Sequence, residues 1–157
     1  MDKGSTAEQK VIVFQLEDEE YAVPVGQVGS IERIEPITRV PQTAAFVKGV
    51  INLRGVVTPI IDLRTRFGLE EAEYSDSTRI IIIHMDEMEV GLIVDSANDV
   101  IDIPHDAIEP APEVVGAVDV DYIKGVAKLE NRLLILLDLE KVLSKDEMAE
   151  LKTVERS

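Results

Sequence analysis

Apolar residues run along this chain in short blocks rich in valine and isoleucine, each closed by an acidic or glycine-bearing turn. Val11-Ile12-Val13-Phe14-Gln15-Leu16 predicts a strand, Glu17 to Glu20 its solvated turn, and Tyr21-Ala22-Val23 the return. Pro24 to Val28 fits one helical turn with Val25 and Val28 on one side, and a strand follows near Ser30 to Ile34. Val47 to Leu53 and Val56 to Ile61 predict a hairpin about Arg54-Gly55, where Gly55 takes the positive φ of a tight turn. Pro59 cannot donate to a ladder, so the second strand of that hairpin is expected to be an edge or to bulge there. Asp62 caps a short helix, Leu63 to Phe67, that stops at Gly68.

The order then repeats. Arg79 to Met85 predicts a strand, Asp86-Glu87-Met88 its turn and Glu89 to Val94 its return. Asp95 to Asn98 predicts a short turn or helix, and Asp99 to Ile103 another strand. Val11 falls on Ile80, Glu20 on Glu89 and Val25 on Val94, a shift of 69 positions. Lys48, Gly49, Val50, Leu53, Asp62 and Leu63 recur 76 positions later as Lys124, Gly125, Val126, Leu129, Asp138 and Leu139. The seven extra residues fall in the loop Glu109 to Asp121, where insertions cost little. The second hairpin turns on Glu130-Asn131 in place of Arg54-Gly55.

Two copies of about five strands each imply an all-β fold whose halves pack on one another. Ile80 to Ile83 is apolar on both faces and belongs between the halves. Ser144-Lys145-Asp146-Glu147 is a capping box that opens a helix with Met148 and Leu151 on its packed face. The expected layout is a disordered tail over 1–9 and one domain over 10–157. Its subdomains span about 10–70 and about 78–140, open to strand exchange, with a C-terminal helix at about 145–155.

Aromatic residues are 4 % of the 157 and tryptophan is absent, so the core is aliphatic. No cysteine means no disulfide and no thiolate site. No apolar run reaches the roughly 18 residues of a membrane span and the N-terminus lacks an apolar leader, so the expectation is a soluble cytoplasmic protein with no direct membrane insertion. A net charge of −15 argues against nucleic acid. The charge is uneven. Pro36 to Gly68 carries Arg39, Lys48, Arg54, Arg64 and Arg66 against Asp62 alone, a net +4 that leaves −19 elsewhere. Such a strip either balances acidic neighbours within the fold or docks an acidic partner.

Catalytic patterns are missing. His84 lies in an apolar run, where a structural histidine is expected, and His105 in a loop; neither has a zinc-helix partner. No phosphate loop or nucleophile elbow is present, and the carboxylates cluster in turns. No enzyme, metal or organic cofactor is expected. What remains is a rigid scaffold with an arginine fork at one hairpin tip, a side chain suited to bidentate carboxylate contacts.

Gly49-Val50-Ile51-Asn52-Leu53-Arg54-Gly55, followed by Pro59-Ile60-Ile61-Asp62-Leu63-Arg64, resembles the signature of the CheW family of chemotaxis coupling proteins. The likeness runs from about Lys10 to Leu151 and takes in Thr38-Arg39-Val40-Pro41, Glu89-Val90-Gly91, Val94-Asp95 and Arg132-Leu133-Leu134-Ile135. The resemblance implies two intertwined five-stranded SH3-like β-barrels sharing a hydrophobic core. It implies a non-enzymatic adaptor, recruited to membrane-anchored arrays, that joins the cytoplasmic tips of methyl-accepting chemoreceptors to the regulatory domain of the histidine kinase CheA. A scaffold of this fold in a non-chemotaxis receptor–kinase pathway is the alternative.

The same resemblance assigns receptor binding to Arg54, Val25 and Val28 and kinase binding to the turn at Glu130 and Asn131. Many relatives carry Glu two residues after the position of Val28. This chain has Ser30 there, which puts any ion pair of that Glu in question. The fold is shared by the receiver-bearing coupling protein CheV, whose chain would continue for roughly another 100–150 residues; ending after the helix favours the stand-alone form.

Overall fold

The computed structural model describes residues 8–41, 43, 45–85, 87–110 and 120–155. Five strands come from the first copy: β1 (Glu8–Leu16), β2 (Glu19–Pro24), β3 (Val28–Arg33), β4 (Val47–Leu53) and β5 (Val56–Asp62). A one-turn helix, α1 (Leu63–Arg66), follows. The second copy supplies β6 (Arg79–Met85), β7 (Met88–Val94), β8 (Ser96–Pro104), the two-residue β9 (Ile108–Glu109), β10 (Ile123–Leu129) and β11 (Arg132–Leu137). The chain closes with α2 (Leu139–Val142) and α3 (Lys145–Glu155).

Each sheet mixes strands from both copies. The first runs β8-β1-β2-β11-β10-β9 and the second β3-β6-β7-β5-β4. Apart from β9, the two orders map onto each other under the shifts of 69 and 76, down to the parallel pairs β11–β2 and β5–β7. The bulge between Val47 and Gly49 returns between Ile123 and Gly125. The halves are therefore intertwined, because the third strand of each copy crosses to pair with the first strand of the other.

Alternation along the strands sorts the apolar side chains into three clusters. Ile81 and Ile83 join Ile12, Phe14, Leu16, Tyr21, Ile61, Ile135 and Leu137 in a core shared by both sheets. Ile80 and Ile82 point the other way, into a cluster of the second sheet with Ile51, Leu53, Ile60 and Ile93. Val11, Val13, Ala22, Ile103, Ala127, Leu134 and Leu136 form the matching cluster of the first. Gathering edge and central strands around one inner cluster requires each sheet to curl, giving barrel-like halves. All four isoleucines of the run are fully buried, each contributing roughly 1.5–3 kcal/mol of burial.

Several details differ from the sequence reading. β5 is not an edge strand; it lies between β4 and β7. Pro59 is tolerated because the β7 ladder begins one residue later, at Ile60, so its missing N–H falls where no β7 partner stands. Asp95 to Asn98 is no helix: β8 starts at Ser96, and a bulge opposite Val13 and Phe14 takes up the slack. His84 is not a buried histidine. It falls on the opposite face of β6 from Ile83 and Met85, at the strand's open end, with its side chain 57 % exposed and Nδ1 3.6 Å from a Glu89 oxygen. β1 begins at Glu8, inside the expected tail; residues 1–7 of that tail, and 111–119 of the loop from Glu109 to Asp121, lie outside the described residues.

Polar clasps fix the ends. Asp62 and Asp138 cap α1 and α2 in the same way, accepting from Arg64 N at 2.9 Å and Glu140 N at 3.2 Å. The α3 capping box forms as expected, Ser144 Oγ accepting from Glu147 N and Glu147 Oε1 from Ser144 N. Met148 and Leu151 then bury in the shared core. Arg66 ties this helix down. It donates to Val142 O and Glu147 Oε1 and lies over the rings of Phe46 and Tyr122, at 4.8 and 5.1 Å from their centroids. Phe46 and Tyr122 are themselves counterparts under the 76-residue shift, as are Arg66 and Val142, so this knot lies where the two copies meet.

Candidate functional site

The Arg54-Gly55 tip is a two-residue loop between the paired Leu53 and Val56. Both tip residues have positive φ, 53° and 87°, the left-handed pattern of a type I′ hairpin. Glycine adopts this freely, but arginine does so at a cost. Asn52 helps hold the turn, its Oδ1 accepting from Gly55 N at 2.8 Å. The Arg54 side chain is 70 % exposed, and its Nη2 donates to Glu32 Oε2 at 3.0 Å, on a β3 carboxylate that is only 20 % exposed. Ser30, two residues earlier, offers Arg54 no such partner; its hydroxyl is buried and bonded to nothing among the described residues. Glu32 was not among the residues singled out from the sequence, because one Glu within Ile31-Glu32-Arg33 carries no distinguishing local pattern.

Val25, in a 3-10 turn, and Val28, at the start of β3, are half-buried and pack on the shared core. Ile31 extends that row into solvent at 40 % exposure. It pairs with Ile81 of the shared core, whereas Glu32 pairs with Ile80 of the second sheet's own cluster. The valines and Arg54 thus approach β3 from its two faces.

The Glu130-Asn131 tip is exposed, and neither residue has positive φ. Beside it Arg132 reaches inward. It donates through Nε and Nη2 to both Glu20 oxygens at 3.1 and 2.9 Å, and through Nη2 to Asp99 at 3.0 Å. The bond to Glu20, above all, raises the Arg132 pKa.

The basic strip is largely balanced within the fold. Lys48 pairs with Glu71 at 2.7 Å, Arg54 with Glu32, Arg66 with Glu147 at 3.0 Å, and Arg64 with Asp95 through two bonds of 2.8 and 2.6 Å. Burial raises the pKa of Asp62 against the pull of Lys48. Burial, with the nearby Asp62 and Glu71 charges, pushes the Tyr74 hydroxyl up to about 12. Among the described residues no group of three or more His, Cys, Asp or Glu side chains could hold a metal ion, and no helix is long and apolar enough to cross a membrane.

Comparison with known proteins agrees with this architecture. The CheW-like domain model matches residues 10–147. A chemotaxis protein CheW of Bacillus subtilis is 51 % identical over 138 residues, 88 % of each chain. One from Klebsiella aerogenes is 39 % identical over 154 residues, 98 % of this chain and 93 % of the relative. The crystal structure of the scaffolding protein TtCheW from Thermoanaerobacter tengcongensis superposes with a TM-score of 0.83 at 35 % identity, covering 90 % of this chain and 96 % of that one. With its repeat, its exchanged strands and its Asn52-Leu53-Arg54-Gly55 turn, the chain belongs to the CheW-like domain family.

Proposed function

We propose that this chain is a non-enzymatic chemotaxis adaptor that couples methyl-accepting chemoreceptor tips to the regulatory domain of the histidine kinase CheA. It would act at receptor arrays, placing receptor and kinase at a fixed spacing so that receptor state controls kinase activity. Receptor contact falls to Arg54 with the apolar residues Val25 and Val28, and kinase contact to the far turn around Glu130 and Asn131. The observation that carries the reading is Arg54 itself, an exposed arginine on a constrained left-handed turn in a chain of this family. Half-buried valines supply apolar area, and a guanidinium fixes orientation through charge-assisted hydrogen bonds. The two tips belong to different sheets, which suits one body serving two partners.

The test is a pair of titrations, with a receptor-tip fragment and with the kinase regulatory domain, on wild type and Arg54→Glu. Arg54→Ala is expected to cost receptor binding on the order of 1–3 kcal/mol, and Arg54→Glu more, with kinase binding kept. Equal loss on both partners with a lowered melting temperature would make Arg54 a fold residue. Normal binding to both would reduce the basic strip to internal charge balance.

A further inference from the structure

We propose that Arg33 and Arg79 form an anion-binding clamp at the far end of the apolar row on β3, and that it takes a carboxylate from the receptor helix that Val25 and Val28 contact. The inference rests on the reading of those valines as part of the receptor contact.

Arg33 closes β3 and stands directly opposite Arg79 of β6, so two like charges share one face of the sheet. Like charges facing one another destabilise a ladder. The chain carries 31 acidic residues, yet among the described residues neither arginine bonds a carboxylate. Arg79 donates only to backbone carbonyls, from Nη1 to Asp76 O at 2.7 Å and to Thr78 O at 2.9 Å. Arg54, Arg64, Arg66 and Arg132, by contrast, each bond a carboxylate.

The face on which the pair lies gives it a partner. Arg33 is two residues beyond Ile31, whose cross-strand partner Ile81 belongs to the shared core. The bulge between Val28 and Ser30 brings Val28 onto that same face, opposite Ile83. Val28, Ile31 and Arg33 therefore make one row that runs from half-buried to exposed. Along β6 their partners run from Ile83 to Arg79, a span of roughly 13 Å, or about two and a half turns of an α-helix. A helix laid along the row, apolar stripe on the valines, would carry a side chain about nine residues further on to the arginines. An Asp or Glu at that point would meet the unbonded N–H groups of two guanidiniums.

The second copy serves as an internal control. Under the shift of 69, Arg33 falls on Asp102 and Arg79 on Lys10, and these two pair across β8 and β1. The same ladder position thus carries opposite charges in one sheet and like charges in the other. The fold accepts the complementary arrangement, so the like pair has a reason outside the fold, and an incoming anion supplies it.

The test is calorimetric titration of wild type, Arg33→Ala, Arg33→Lys and Arg33→Asp with a chemoreceptor-tip fragment and with the kinase regulatory domain, Arg54→Ala serving as control. Arg33 is the position to change because Arg79 also holds the turn before β6. Arg33→Ala is expected to weaken receptor binding about two- to fivefold, the range for an exposed pair, with Arg33→Lys closer to wild type. The difference between wild type and Arg33→Ala should shrink in high salt. Arg33→Asp should bind about tenfold more weakly, with a urea midpoint equal to or above wild type, because it now faces Arg79 with opposite charge. Kinase binding should not change. Full receptor binding by Arg33→Asp while Arg54→Ala binds weakly would overturn the clamp and leave the receptor contact standing. Full binding by both variants would sink the receptor reading and the clamp with it. A loss on the kinase domain alone would give the arginines to the other partner and overturn the proposal. A lowered urea midpoint with losses on both partners would make Arg33 a fold residue and overturn it too.

Discussion

The hairpins β4–β5 and β10–β11 share a ladder, a bulge and a following capped helix, yet their tips are chemical opposites. The first carries a left-handed Arg54 paired outward to Glu32, with Val56 exposed beside it. The second carries an acidic tip, and the counterpart of Val56 is Arg132, drawn inward onto Glu20 and Asp99. The counterparts of that trio in the second sheet are Val56, Glu89 and Ser30. Where backbone and core agree between the copies, the fold is speaking; where the tips diverge, only the differing side chains remain to explain two kinds of contact.

The deepest shared feature is a glycine crossing. Gly49 lies at φ 144°, where an added Cβ would collide with the carbonyl of Thr38, whose chain is bridged to Val50. Gly125 lies against Glu109 O in the same way, but a Cβ there would stand 2.8 Å off, without positive φ. Gly49→Ala is therefore expected to cost more than about 4 kcal/mol, combining strain with a backbone clash. Gly125→Ala should cost roughly half as much. Urea denaturation of both variants decides; equal costs would mean the two crossings are equally tight.

Next in size are the isoleucines of β6. Ile81→Ala and Ile80→Ala should each cost about 2–5 kcal/mol. Their reach should differ. Ile81 belongs to the core shared by both sheets, so its loss should raise amide exchange in β1 and β11 as well as β6. Ile80 touches the second sheet's cluster alone, so its loss should stay in β3 to β7. Identical exchange maps would contradict the division into shared and private cores.

Much of this was legible in the residues. The two shifts named nearly every equivalent strand, and four consecutive isoleucines announced a strand buried on both faces. The residue pattern alone left strand exchange open, because β3 and β8 show the same alternation whichever sheet they join; the intertwining came only from the family resemblance. Pro59 misled because its lost donor was judged without knowing where the β7 ladder begins. His84 misled because its immediate neighbours Ile83 and Met85 occupy the other face, and the side chain is left exposed beside Glu89. Arg54 could be found at its turn; Glu32, Arg132 and Arg66 could not be given their partners, since those contacts join residues 22, 112 and 81 positions apart.

The charged trio gives a smaller contrast. Arg132→Ala leaves Glu20 and Asp99 facing one another, and we expect a loss of about 0.5–1 kcal/mol, modest because all three are partly solvated. Arg54→Ala should stay within about ±0.5 kcal/mol. Melting temperatures of the two variants in the same buffer check the order; a larger loss at Arg54 would make the first tip the structural one.

The smallest effect separates the copies by pH. Asp95 accepts from Arg64 twice and from Glu17 N, joining α1 to the β1–β2 turn. The counterparts of Asp95 and Arg64 are Gly26 and Glu140, so the equivalent corner of the fold has no such clasp to lose. Burial pulls the Asp95 pKa upward, but the bonds from Arg64 and Glu17 outweigh it and leave it below the ordinary value. A pKa lowered on folding means stability that is present above the unfolded value, about 3.9, and lost as pH falls through the folded one. Asp62 has the reverse sign: its pKa is raised by burial, so its contribution is full in acid and fades as pH rises through the folded value. Asp95→Asn should therefore be less stable than wild type at pH 7, by under about 1 kcal/mol, with the gap closing below about pH 4. Asp62→Asn, which keeps an acceptor for the α1 cap, should be no less stable than wild type at pH 7 and lose any advantage in acid. Urea midpoints for both variants at pH 7 and pH 3 read the two signs directly. A gap at Asp95 that does not change with pH would mean that shape, not charge, holds α1 to the turn.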